Sequence, residues 1–222
     1  MDTTVQNLRK HGFTVLPAKN TAQAGEILED LARKFMTEYK SLHILSKPVV
    51  SYGDSLTLYR IDEAAGEKGI LKQLRHNPDI VFLDGFRKED SREEKIRIRR
   101  EALLSDFYIT GVNAVSREGA LYWVDMIGNR IASVSLGAKH VVIVAGKNKI
   151  VPSNAELEAR VRTIAGPQNI ARHPGFKTPC AKTGVCMDCN SPDRICNMKL
   201  TMERCYPKGR ISVILIDEEL GL

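Results

Sequence analysis

His140-Val141-Val142-Ile143-Val144-Ala145-Gly146-Lys147-Asn148-Lys149 is the stretch on which the fold turns. Its apolar run is unbroken, rich in β-branched residues, and bounded by Gly137 and Gly146. Such a run suits a strand buried on both faces in the interior of a parallel sheet. It is far too short to span a bilayer. Working outward, Ile211–Ile216 (ISVILI), Asp106–Thr110, Ile80–Leu83, Pro48–Tyr52 and Thr14–Pro17 read as further strands, Ile80–Leu83 as a buried one. Between them, 5–13 reads as a helix ending at Gly12. Thr21–Phe35 carries apolar residues at 24, 27, 28, 31, 32 and 35, a helical spacing with Thr21 as N-cap. Lys88–Leu104 reads as a solvated helix with pairs such as Glu93–Arg97. Ala155–Ile164 is a helix capped by Ser153 or Asn154 and stopped by Gly166-Pro167. Ala114–Val124 forms a hairpin around Glu118-Gly119. Strands alternating with helices define an α/β fold with a mainly parallel sheet.

The 222 residues suffice for one generous domain or two small ones. Asp2 and its polar followers form no apolar leader, and the expected compartment is cytoplasmic, where thiols stay reduced. The net charge is +6, but its placement says more. From Arg160 to Arg210 there are ten Lys/Arg against three Asp/Glu, a local +7 that leaves the rest at −1. Charge so placed offsets thiolates around a metal or attracts a carboxylate or phosphate substrate. Nucleic acid is not the expected partner, because no interleaved aromatics or recognition motif accompany it.

Four of the five cysteines fall in this basic region: Cys180, Cys186, Cys189 and Cys196, spaced C-x5-C-x2-C-x6-C among turn formers. They read as ligands of one metal centre; the alternative is reduced, idle thiols. Zinc usually takes two short knuckles, and only Cys186 and Cys189 make one. Iron–sulfur clusters accept looser spacing, so an iron–sulfur cluster is expected, with zinc as the alternative. Cys205 is a spare thiol, His140 is structural, and His173 is a weak candidate near the cysteines.

In open parallel sheets, ligands bind beyond the carboxyl ends of the strands. Four loops are expected there: Gly53-Asp54-Ser55, Gly111-Val112-Asn113, the Glu118-Gly119 hairpin and Gly146-Lys147-Asn148-Lys149. Gly53, Asp54 and Ser55 form either an anion-binding turn or a plain helix cap. Glu118 is either a base or nucleophile, or a charge at a hairpin tip. Lys149 either pairs with a substrate carboxylate or is a surface lysine. Asn113 and Asn129 bind substrate or satisfy turn backbone. All these loops are expected to converge on one cleft.

Taken together, Gly53-Asp54-Ser55-Leu56-Thr57-Leu58, Gly111 to Gly119, Gly128-Asn129-Arg130, Gly146 to Val151 and the Thr178 to Asn197 cysteine block resemble the LUD-domain family of lactate-utilisation proteins, in its stand-alone, single-domain form. The resemblance implies a three-layer α/β/α fold like that of CoA transferases and ribose-5-phosphate isomerase. It implies one domain over 1–222, with 166–209 a cysteine-rich insertion or lid. It also implies a redox or accessory part in oxidising lactate or a related 2-hydroxy acid, beside an iron–sulfur partner protein. Glu118, Lys149 and Asn113 are then the catalytic candidates; Gly53, Asp54, Ser55, Asn129 and Asn148 would bind a small anionic substrate. The other class left open is a CoA-, acyl- or sugar-phosphate-type transferase or isomerase with a structural metal lid.

Overall fold

Strand β7, His140–Gly146, lies between β10, Ile211–Ile216, and β4, Phe107–Gly111, and pairs in parallel with both. Val141 to Ala145 are each at most 2% exposed. The computed structural model describes residues 1–43 and 45–222. Its main sheet is all parallel, six strands in the order β1-β10-β7-β4-β2-β3, where β1 is Thr14–Ala18, β2 Val49–Tyr52 and β3 Val81–Leu83. Alternate residues of β7 feed two cores, as the period of a strand requires. Val142 and Val144 pack with Leu28, Phe35 and Leu58 from the helices Thr21–Leu42 and Leu56–Ala64. Val141, Ile143 and Ala145 pack with Leu8 of the helix Asp2–Lys10 and with Trp123.

That second face is shared by helix and by a smaller sheet, β8-β5-β6-β9, with β5 Ala114–Ser116, β6 Leu121–Asp125, β8 Ile150–Val151 and β9 Met198–Met202. Trp123 joins the two sheets: its buried Nε1 donates to the Gly111 carbonyl at 2.8 Å. The fold is thus mixed α/β around a mainly parallel six-stranded sheet flanked by helices, with the cysteine-rich segment near its C-terminal end.

Three local expectations are corrected. Ile80–Leu83 is not a buried interior strand; β3 is a three-residue edge paired with β2 alone, and Val81 is 44% exposed. Thr21 is not the N-cap of its helix. Asn20 is, its side chain accepting from Gln23 N, while the Thr21 hydroxyl donates to Glu218. Gly166-Pro167 does not stop the helix begun after Ser153. A π-helical turn over Val161–Ala165 precedes Gly166–Ala171, where Pro167 occupies the first turn and needs no donor. The two residues of β8 are too few to show a pattern, and β9, although Met198-Lys199-Leu200-Thr201-Met202 alternates, lies within the stretch read as a cysteine-rich lid.

Candidate active site and cysteine cavity

Beyond the carboxyl ends of β2, β4 and β6 lies a cleft of about 540 Å³. Strand β2 delivers Asp54 and Ser55 to it; Ser55 caps the following helix by accepting from Leu58 N at 3.2 Å. Two glycines make this approach possible. A Cβ on Gly111 would lie 2.4 Å from Ser55 Oγ, and one on Gly53 would lie 2.2 Å from Tyr108 Oη. Both are closer than any side chain tolerates.

The inner wall is a network of buried cations. Arg130 begins a short helix directly after β6 and turns back on the strand. Its Nε donates to Asp125 Oδ1 at 2.7 Å, and its Nη2 donates to Asn113 Oδ1 at 3.0 Å and to the Val124 carbonyl at 2.7 Å. Asp125 Oδ2 accepts from Ile131 N at 2.8 Å, so this carboxylate fixes both the helix start and the guanidinium. Burial works against the Arg130 cation, yet Asp125 outweighs it and leaves the pKa above its ordinary value. Arg160 is buried as well and holds the Asn113 and Asn148 carbonyls; burial lowers its pKa. Lys149 is 5% exposed and donates to the Val112 carbonyl at 2.9 Å. Its pKa is pushed down to about 7, by burial first and then by Arg160 and Arg130.

Of the residues expected here, Asp54, Ser55, Asn113, Asn129 and Lys149 line one cleft. Gly53 lies behind it, as the packing space for Tyr108. Asn148 braces the chain end instead, accepting from Leu220 N at 3.1 Å and donating to the Gly221 carbonyl at 3.2 Å. Glu118 is not part of the cleft wall, against the expected convergence. Strand β5 leads away from Asn113, and at about 3.3 Å per residue its hairpin tip is carried to the far end. There Glu118 is exposed and accepts from Asn154 N at 2.7 Å, capping a short 3-10 turn. Sequence reasoning missed Asp125, Arg130 as a structural anchor, and Arg160. The one available signal was Gly128-Asn129-Arg130 following the end of an apolar strand.

Cys180, Cys186, Cys189 and Cys196 line a second, smaller cavity of about 40 Å³ beside the first. None forms a disulfide. Burial pushes the Cys196 thiol up; Arg194 opposes this, while Cys186 and Cys189 add to it. Arg194 also shapes the loop, donating to the Cys189 carbonyl at 2.7 Å, to the Cys196 carbonyl at 3.2 Å and to Asp188 at 2.9 Å. Tyr122, also on this cavity, has a buried hydroxyl with no hydrogen-bond partner among the described residues. The four thiols and the unpaired Tyr122 hydroxyl thus border one cavity. Among the described residues, no three His, Cys, Asp or Glu side chains are arranged to hold a single ion. Cys205 lies elsewhere, buried in the core with Leu8 and Trp123.

The class is thus a mixed α/β protein with a cleft, lined among others by Arg99, Arg130 and Lys149, at its strand ends. The family comparison narrows it: the LUD domain matches residues 1–216, and the chain belongs to this lactate-utilisation family. Among solved structures, a DUF162 family protein from Deinococcus radiodurans is similar over 97% of this chain and 94% of its own, at 12% identity and a TM-score of 0.48. The eIF2B beta of Chaetomium thermophilum is similar over 59% of this chain and 47% of its own, at 16% identity and a TM-score of 0.30. No curated protein matches. Among the described residues, no helix is long and apolar enough to cross a membrane.

Proposed function

We propose that this protein is a redox component of the oxidation of lactate, or a related 2-hydroxy acid, to the 2-oxo acid. The observation that carries the reading is a shared wall. Cys196, Ile195, Val124, Val161 and Gly166 line both the cysteine cavity and the anion cleft. A metal centre held by Cys180, Cys186, Cys189 and Cys196 would therefore border the bound anion.

The chain's own residues supply binding and orientation. Arg130 presents positive charge fixed by Asp125, and Asn113 and Asn129 offer amide groups to a carboxylate and hydroxyl. Ser55, at the start of its helix, adds a hydroxyl beside a positive dipole end. The part of the segment 166–209 that carries the cysteines lies beside the cleft, and Cys196 reaches its wall. An iron–sulfur cluster, were one bound, would carry electrons one at a time, so the two electrons of the oxidation would pass to an iron–sulfur partner protein in two successive transfers. The test is anaerobic purification followed by metal analysis and visible absorption. Iron and sulfide with a brown chromophore support the reading; a chromophore retained in full after Cys196→Ser contradicts the ligand set.

A second reading is favoured by size. A cleft of about 540 Å³ exceeds what a three-carbon acid fills, and Lys88, Arg99 and Arg172 line it too. These features suit a CoA-, acyl- or sugar-phosphate-type transferase or isomerase with a structural zinc lid. A colourless protein that contains zinc and binds a phosphate ester would select it.

A further inference from the structure

We propose that Lys149 is a nucleophilic amine that condenses with the C2 carbonyl of the 2-oxo acid and holds it in the cleft as an imine; this rests on the substrate class read above. Three features of its placement meet at this side chain. It is nearly enclosed yet forms part of the cleft wall. Its hydrogen bond goes to a backbone carbonyl, Val112, which accepts from an ammonium or, more weakly, from an amine. Among the described residues it makes no ion pair with a carboxylate; Arg130 and Arg160 are its charged neighbours, and Asp125 is committed to Arg130.

An ammonium at this point has lost water and gained no anion. The equilibrium shifts toward the free base, and with the pKa near 7 about half the molecules carry a lone pair at neutral pH. For an ordinary lysine the fraction is below roughly one in a thousand. Desolvation beside other cations is a recognised route to an activated lysine amine.

The step balances without any oxidant. The Nζ lone pair adds to C2, and the carbonyl π pair moves to oxygen. One proton passes from nitrogen to that oxygen, and solvent supplies a second. The C–O bond then breaks, water leaves, and the nitrogen lone pair closes the C=N bond. The product is a cationic iminium. The carboxylate on the adjacent carbon supplies the counter-charge that Lys149, without a carboxylate ion-pair partner among the described residues, otherwise lacks. A 2-hydroxy acid has no carbonyl at C2 and its carboxylate does not condense with an amine, so the cleft holds the reduced acid without a covalent bond and the oxidised acid covalently.

The test is reductive trapping. The full chain is incubated with pyruvate and cyanoborohydride, digested and mapped by mass spectrometry, while calorimetry without reductant measures pyruvate binding. The expected result is one reduced pyruvate adduct, on the peptide containing Lys149. Its yield should rise through about pH 7 as the free amine grows. Lactate should give no adduct, and neither should Lys149→Arg. Because the wild-type peptide map locates the adduct, the outcome does not depend on that variant folding. A protein that binds pyruvate but carries no adduct, or spreads it evenly over surface lysines, overturns the imine and leaves the functional reading standing. A protein that neither binds nor traps pyruvate overturns both.

Discussion

Asp125 and Lys149 show how far single residues decide this site. Asp125 neutralises Arg130 within the cleft wall, and both side chains are largely enclosed. Asp125→Asn leaves a buried guanidinium unpaired, which should cost about 3–5 kcal/mol in urea unfolding, against near-neutral loss if the pair were exposed. Lys149 has the opposite signature. Its folded pKa, about 7, lies below the unfolded value of about 10.4. Between those values the unfolded chain binds the extra proton, so stability gained from this residue rises as pH climbs through the window and is flat below it. Lys149→Met should therefore stabilise the protein most at about pH 6 and progressively less toward about pH 10. Chemical denaturation across that range checks the slope, and a pH-independent difference would contradict it. Asn113 and Lys149 were legible because they follow apolar strands directly. The Asp125–Arg130 anchor was not, because a strand-end acid and a helix-start arginine look like ordinary surface residues until the fold turns one onto the other.

At the scale of elements, the turns position the chemistry. Gly53→Ala places a methyl group against Tyr108 Oη and Thr110 Oγ1 in a packed interior. It should cost about 1–3 kcal/mol and weaken anion binding, read together by thermal melting and calorimetry. The hairpin between β5 and β6 was legible, but its direction was not: a loop after a strand reads as a strand end whichever sheet the strand joins. Glu118 was thereby assigned to a cleft it does not reach. The cysteine loop and the nearness of Arg194 to it were visible from the sequence, whereas the carbonyls of Cys189 and Cys196 that Arg194 binds were not. Cys186→Ser should lose bound metal and local order, and Cys205→Ser should retain the metal, since Cys205 packs in the core away from the loop. Metal content of the two variants decides this, and equal loss from both would contradict the assignment.

Across the whole molecule, the central strand and the parallel sheet followed from one apolar run, because a buried strand must be apolar on both faces. The small sheet escaped notice, because β8 has only two residues and both β8 and β9 pair with partners distant in sequence. It is this sheet that carries Val124 and Tyr122 to the boundary between cleft and cysteine cavity. Of the positive segment from Arg160 to Arg210, Arg162, Arg194 and Lys199 line the cysteine cavity and Arg172 lines the cleft. On the function proposed above, a metal centre and an anion site share this wall. Electron paramagnetic resonance of the anaerobically purified, reduced protein tests it most directly, recorded with and without saturating pyruvate. The account predicts an iron–sulfur signal whose shape changes on pyruvate binding, with the change lost in Lys149→Met while the signal itself remains. An iron–sulfur signal indifferent to bound pyruvate, or a colourless protein holding zinc, would contradict it.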